Sequence, residues 1–336
     1  KQIVAVATST DEAFSIGSHS ITSSSSVFTI AEIGNNHQGS LDNAKKLIYE
    51  AKRAGASCAK FQLRDLTSLY GEGTINKNTE DLGTEYTLDL LKNFQLDDED
   101  LYRAFDYCHE INITPLCTPW DIPSVAKLEK YGIEAYKLAS ADFTNRDLME
   151  VVANTRKPMI CSTGMCSEIE ISSGISFLKE LYADYCLLHC NSTYPAPFKD
   201  VNLRYINRLV EAGDCIVGYS SHERGFSAVL AAIGIGARII EKHITLDKTW
   251  EGIDHRVSLL PNEFKNMVEE IAIANESLGL GEYRNVSQGE VINRENLGKS
   301  LFVNCAIKKG ELFTADCFDV KSPGKGLKPY HKKQLI

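Results

Sequence analysis

The sequence predicts an α/β protein built on a closed (β/α)8 TIM-type barrel, followed by a small β-rich C-terminal domain. Three observations carry this. Short apolar runs recur along the chain at intervals of about 20–30 residues, with one gap roughly twice that. Helix-period segments separate them, which makes βαβ units and a parallel sheet with right-handed crossovers. Eight such units fit into about 250 residues, the usual size of a barrel. The rival, an open dinucleotide-binding sheet, would want a GxGxxG after its first strand, and none is there.

Taken in order, residues 1–27 are a Ser- and Thr-rich extension with two weak strand patterns, 3–7 and 14–16, expected to form a hairpin against the bottom of the barrel. Residues 28–280 read as the barrel. Strands are expected over 28–33, 58–62, 114–117, 135–138, 159–162, 186–190, 215–219 and 238–243. Helical periodicity marks 41–54, 97–110, 122–131, 168–181, 202–212, 227–234 and 262–278. Ser40, with Asn43 in its third position, starts the first helix, and Pro261-Asn262-Glu263 opens the last. Gly55, Gly132, Gly213 and Gly236 follow helical stretches, where left-handed caps are wanted. The long gap, 64–94, is expected to be an extended loop after the second barrel strand, over the mouth. Residues 281–297 read as a polar linker. Residues 298–336, with the turn Ser322-Pro-Gly-Lys-Gly326, read as part of a small β-rich domain. Some forty residues hold too little core to stand alone, so this domain is expected to be incomplete or to lean on a partner.

Composition narrows the function. The 336 residues are 43% hydrophobic and 24% charged, ordinary for a globular enzyme. No apolar run reaches the length of a membrane span. Asp plus Glu number 45 against 36 Lys plus Arg, a formal charge of −9, and no basic stripe exists to displace nucleic-acid counterions. An anionic small substrate stays possible, since a few local lysines outweigh the global sign. None of the ten cysteines forms a CxxC pair, and several sit in apolar runs, so a reduced, cytoplasmic protein is expected. The chain starts at Lys1 with no leader pattern and is expected to begin inside its gene product.

In a barrel the chemistry gathers at the C-terminal ends of the strands. Those ends carry Glu32; Lys60 and Gln62; Thr118; Lys137, Ser140 and Asp142; Ser162; Ser192 and Tyr194; Ser220 and His222; and His243. His222 and His243 end neighbouring strands and are candidate ligands of one divalent ion. With no thiolate among them, manganese is favoured over structural zinc. Lys60 and Lys137 are candidate anchors for a phosphate or carboxylate, helped by the hydroxyls and by backbone N–H groups at Gly164. The bland reading pairs each lysine with a carboxylate, Glu32 with Lys60 or Lys242 among them. A Schiff-base lysine would look the same, which keeps an aldolase using Lys137 open. A metal-dependent hydrolase and an inert barrel bearing a carbohydrate-gripping tail are further readings. Glu32, Asp142 and Asp254 are candidate carboxylates for sugar hydroxyls or proton transfer.

These strand ends resemble the sialic acid synthase family. The likeness rests on seven collinear motifs: Ile30-Ala-Glu-Ile-Gly-Asn-Asn-His-Gln-Gly39, Ala59-Lys-Phe-Gln62, Tyr136-Lys-Leu-Ala-Ser140, Ser162-Thr-Gly-Met165, Leu188-His-Cys-Asn-Ser-Thr-Tyr-Pro195, Gly218-Tyr-Ser-Ser-His222 and Glu241-Lys-His243. Gly252-Ile-Asp-His255, Leu297-Gly-Lys-Ser-Leu301 and Ile307-Lys-Lys-Gly310 extend it, so that it runs in order from about residue 28 to 330.

The resemblance implies a barrel joined to an antifreeze-like (SAF) domain in a domain-swapped homodimer, the tail of one subunit capping the mouth of the other. It implies condensation of phosphoenolpyruvate with the open-chain aldehyde of an N-acetylated hexosamine, giving a nonulosonic acid and phosphate. That acceptor would be N-acetylmannosamine or its 6-phosphate, or a diacetamido trideoxy hexose in a legionaminic or pseudaminic acid synthase. By motif, His222 and His243 would hold Mn2+, with Mg2+ or Co2+ as alternatives. Lys60, Thr118, Lys137, Ser140, Ser162, Ser192 and Ser220 would bind phosphoenolpyruvate. Gln62, Asp142, Tyr194 and Asp254 would face the sugar, and Glu32 would serve catalysis beside them. Three positions depart from the family pattern. An Arg-Pro-Gly is common in the tail, where this chain has Ser322-Pro323-Gly324, leaving Lys321 or Lys325 to supply a charge. Asp142 replaces a common glutamate, and Ser192 an asparagine found in some members.

Overall fold

The computed structural model of the chain describes residues 13–70, 88–279, 281 and 283–336. The chain divides into two compact units, Lys1–Gly279 and Leu280–Ile336. The first opens with a hairpin. Strand β1 (Phe14–Ile16) pairs antiparallel with β2 (His19–Ile21), Phe14 opposite Ile21. This hairpin uses the second of the two strand patterns expected in the extension; the first, 3–7, lies outside the described residues.

Eight parallel strands follow and close into a barrel: β3 (Phe28–Gly34), β4 (Cys58–Leu63), β5 (Thr114–Pro119), β6 (Tyr136–Leu138), β7 (Met159–Ser162), β8 (Tyr185–Cys190), β9 (Val217–Ser221) and β10 (Ile239–His243). They stand in chain order, and β10 returns to pair with β3, His243 opposite Glu32. Alternation along each strand separates two apolar layers. Residues such as Ala31, Phe61, Leu138, Cys161 and Ile240 pack outward against the helices. Ile30, Cys58, Leu116, Ile160, Cys186 and Ile239 point inward near the strand starts, where Phe14, Ile16 and Ile21 of the hairpin join the same cluster. The hairpin therefore seals the lower end, and the inward positions further along the strands are free to be polar.

The helices form where caps and periodicity coincide. Ser40 caps Leu41–Arg53, its hydroxyl accepting from the Asn43 amide at 3.3 Å. Ser167 and Glu170 make a reciprocal capping box on Glu168–Glu180. Gly132 ends Ile122–Tyr131 at φ +93°, as a left-handed cap requires. At the end of Tyr205–Gly213 the cap is Asp214, at φ +51°, not Gly213. Gly213 is instead the last helical residue, and a Cβ there would run into Cys215 Sγ and Leu187 Cδ1 at 2.8 Å.

Two further stretches differ from the sequence reading. Within the expected loop 64–94, short helices occupy Leu66–Leu69 and Leu88–Phe94, while 71–87 lie outside the described residues. A helix not singled out by periodicity, Arg146–Asn154, crosses from β6 to β7 and buries Leu148, Met149, Val152 and Ala153.

The second unit contains helix Gln288–Leu297, where a polar linker was expected. Ser287 and Glu290 form its capping box. Strands β11 (Ser300–Val303) and β12 (Phe318–Lys321) pair antiparallel. The Ser300 hydroxyl donates to Pro323 O at 2.7 Å and accepts from the Gly326 amide at 2.9 Å, tying the turn 322–326 to β11. Lys321 pairs with Asp319 at 2.7 Å, and the Ser322 hydroxyl accepts from Lys299 at 2.6 Å. Leu297, Val303, Leu312, Val320, Leu327 and Tyr330 are exposed, so this unit covers little of its apolar surface by itself. Among the described residues, no helix is long and apolar enough to cross a membrane.

Candidate active site

The inward positions at the upper ends of the strands converge on one cleft of about 620 Å³. The period of two selects them. Lys60 and Gln62 on β4, Thr118 on β5, Lys137 on β6, Ser162 on β7, Cys190 on β8, Ser220 on β9, and Glu241 and His243 on β10 all line it. Their outward neighbours Phe61, Leu138, Cys161, Tyr219 and Ile240 pack under the helices.

A charged network forms the floor. Lys60 Nζ lies 2.8 Å from Glu32 Oε2 and 3.5 Å from Glu241 Oε2, and donates to Thr118 Oγ1 at 3.1 Å. Lys137 Nζ donates to Ser162 Oγ at 2.6 Å and to Leu138 O at 2.9 Å. Ser220 Oγ donates to Glu241 Oε1 at 2.9 Å. Lys60, Lys137, Glu32 and Glu241 are each no more than 5% exposed. Burial works against the ionised form of Glu241, but Lys137 and Lys60 outweigh it and hold this carboxyl down to about 2. Glu32 goes the other way: burial, with the Glu241 charge, raises it despite Lys60. Lys60 stays firmly charged, because Glu241 and Glu32 outweigh its burial. Burial lowers Lys137, which Glu241 only partly offsets. The floor thus sets two lysines against two buried carboxylates, and Lys137, whose charge burial opposes, is the ammonium an added anion would compensate.

The two imidazoles stand at one side of the cleft with ring centres 5.6 Å apart. His222 Nδ1 lies 2.8 Å from Asn191 O and 3.5 Å from Cys190 Sγ, and its Nε2 is 3.1 Å from the Tyr194 hydroxyl, whose ring stacks on it at 4.2 Å. Among the described residues, His243 Nδ1 is buried without a hydrogen-bond partner, 3.9 Å from Asp254 Oδ2. Burial holds His243 down to about 4, so it is neutral and carries a lone pair. Among the described residues, no group of three or more His, Cys, Asp or Glu side chains is arranged to hold a metal ion. His243 thus offers an orphaned neutral nitrogen, while burial of His222 is outweighed by Cys190 and the Asn191 carbonyl, which raise its proton affinity. Two imidazoles in a cleft with carboxylates and open volume fit an ion that keeps positions for oxygen ligands.

Ser140 and Ser192 flank Gly164, whose amide donates to Ser140 Oγ at 3.1 Å. A Cβ on Gly164 would fall against both hydroxyls. Gln62 Nε2 donates to Glu32 Oε1 at 2.6 Å. Of the barrel side chains named as candidates for catalysis, metal or substrate, all line the cleft except Asp142. That side chain is buried, with Oδ1 accepting from Asn145 Nδ2 at 3.0 Å. Residues missed by the sequence reading include Arg64, which donates to Gln62 Oε1 and stacks over Trp120 at 4.2 Å, together with Tyr70, Trp120 and Arg256. Glu241 stands in the strand-end motif Glu241-Lys-His243 but was given no role. Its signal was its place two residues before His243, on the same face of β10.

Fold and site together define a (β/α)8 barrel with a floor of buried lysines and carboxylates beside a paired-imidazole wall, and the comparisons give its kind. The model of the NeuB family matches residues 47–283, and the chain belongs to that family. It is 36% identical to N,N'-diacetyllegionaminic acid synthase of Legionella pneumophila, over 94% of this chain and 90% of that protein. It is 35% identical to human N-acetylneuraminate-9-phosphate synthase, over 88% of this chain and 82% of the human one. The crystal structure of N-acetylneuraminic acid synthetase from Leptospira borgpetersenii, in complex with citrate, superposes with a TM-score of 0.76 at 33% identity, covering 84% of this chain and 96% of that one. The protein is accordingly an enzyme of the sialic acid synthase type.

Proposed function

We propose that the enzyme joins C3 of phosphoenolpyruvate to the aldehyde carbon of an open-chain N-acetylated hexosamine, N-acetylmannosamine or its 6-phosphate. Water adds at C2, the C2–O bond to phosphate breaks, and a nonulosonic acid and phosphate leave. The observation that carries this reading is the juxtaposition of two buried lysines with a pair of imidazoles in one cleft. Lys60 and Lys137 would balance the phosphate and carboxylate of phosphoenolpyruvate, with Thr118, Ser140, Ser162, Ser192 and Ser220 supplying hydroxyl donors. Ser140 and Ser192 would reach one anion because Gly164 leaves the space between them open.

His222 and His243 would hold a divalent ion, manganese first, which when bound would polarise the acceptor's carbonyl as a Lewis acid. Glu32, whose proton affinity is raised by burial, would exchange a proton with the acceptor oxygen while Gln62 fixes its orientation. Tyr194 and Asp254 would meet the sugar hydroxyls. Asp142 is left out of this set because it does not line the cleft. The second unit would act as an antifreeze-like cap on a partner subunit's mouth, which suits its exposed apolar surface. A diacetamido trideoxy hexose is the second acceptor reading, supported by the identity to the Legionella protein.

The test is phosphate release from phosphoenolpyruvate with each acceptor in turn, after EDTA treatment and after Mn2+ is returned. Release that needs an acceptor and the ion supports the reading. Borohydride trapping of a pyruvate adduct on Lys137 would replace it with the Schiff-base aldolase.

A further inference from the structure

On the outer side of the same two strand ends lies a second polar cluster, shut off from the cleft. Lys242, Glu223, Ser221 and Tyr219 are all within 1% of full burial. Lys242 pairs in register with Ser221 across β9 and β10. Its ammonium donates to Ser221 Oγ at 2.9 Å and to the Glu223 carbonyl at 2.5 Å, and lies 3.5 Å from Ser221 O. The Ser221 hydroxyl passes the chain on to Glu223 Oε1 at 2.8 Å, and the Tyr219 hydroxyl donates to Glu223 Oε2 at 2.6 Å. Both carboxylate oxygens and the ammonium are therefore satisfied without water.

Such a cluster is a poor way to stabilise a barrel, since well-packed apolar side chains commonly do as well as buried ions. Its position is what distinguishes it. Glu223 directly follows His222, and Lys242 directly precedes His243. The bond from Lys242 Nζ to the Glu223 carbonyl clamps the backbone just past one imidazole to the residue just before the other. The main chain beyond β9 has left the barrel ladder; His222 keeps one backbone bond, its carbonyl accepting from the Ala196 amide at 3.0 Å, and the clamp adds a tie from the next residue to β10.

We propose that Lys242 and Glu223 are positioning residues for the imidazole pair, setting the separation and tilt at which His222 and His243 share a divalent ion. The inference rests on the proposed metal-holding role of those histidines. The test titrates the metal-stripped enzyme with Mn2+, reading free ion by electron paramagnetic resonance, and records melting temperatures alongside. Outer partners of metal-binding imidazoles are typically worth about 10–100-fold in affinity. Lys242→Met and Glu223→Gln are expected to weaken Mn2+ binding by that much. Tyr219→Phe, which removes one donor and is gentle to the fold, is expected to weaken it by about 3-fold or more, and Lys242→Arg to retain it. Variants that melt earlier yet bind Mn2+ as the parent does would overturn the positioning role alone. A parent enzyme that binds no Mn2+, or binds it equally after His222→Ala, would remove the histidine reading and this inference with it.

Discussion

Replacing Glu241 by glutamine would leave two buried ammonium groups, Lys60 and Lys137, facing a single carboxylate, Glu32, whose ionisation burial already opposes. Removing one partner from a buried charge network costs about 3–5 kcal/mol. Urea unfolding of Glu241→Gln is expected to show a loss of that order, partly recovered on adding phosphoenolpyruvate, whose negative charge would take the place of the missing carboxylate. Unchanged stability would mean that the lysines release their protons instead. Gly164→Ala probes the opposite side of the floor. The added methyl would push apart the Ser140 and Ser192 hydroxyls. The expected outcome is a KM for phosphoenolpyruvate about tenfold higher, equivalent to ~1.4 kcal/mol of binding, with kcat within about twofold and an unchanged melting temperature. A kcat effect without a KM effect would place the anion elsewhere. At this scale the residue types were legible, because polar side chains ending apolar strands stand out. Partners were not. Nothing local ties Glu241 to Lys60, and Arg64 with Trp120 sat among ordinary turn residues.

Among the elements, the barrel strands were readable to within two residues or so at their ends, because alternation and Val/Ile/Cys-rich runs reinforce each other. The hairpin β1–β2 shows what alternation alone leaves open. Two three-residue strands carry little signal, and Gly17, at φ +54°, is what lets the chain turn between them. Its contribution to stability should be large for its size. Ile16 is fully buried against the lower core, so Ile16→Ala is expected to cost about 2–5 kcal/mol in chemical denaturation. A loss below ~1 kcal/mol would mean that the hairpin rests on the barrel without sealing it. Helix Gln288–Leu297 hid for a different reason. Its Ser287 and Glu290 capping box was in plain view, but no apolar face accompanies it, and none of its residues is buried within its unit.

For the whole molecule, the contrast lies between a barrel unit with a dense double-layered core and a C-terminal unit with a two-stranded sheet and exposed apolar side chains. A two-stranded sheet is marginal in water. Ending the chain before Gly298 is therefore expected to leave a folded barrel, with a melting temperature close to the parent's, that has lost dimerisation and most sugar-dependent turnover. Light scattering and the phosphate-release assay check this, and an active truncated monomer would contradict the capping role. Lys321, one of two candidates to replace the family's arginine, is engaged by Asp319 within its own unit.

The linear sequence determined the element order, the barrel class and the inward-facing set, since a period of two and the position of each strand's end are local properties of the chain. It also determined the family. Only the closed sheet decided which charges meet. Glu241 and His243 sit on the last barrel strand, yet they answer to Lys60 and Glu32 on the first two, because β10 pairs with β3. Closure is a long-range event, and no spacing along the chain records which buried carboxylate will stand beside which buried ammonium.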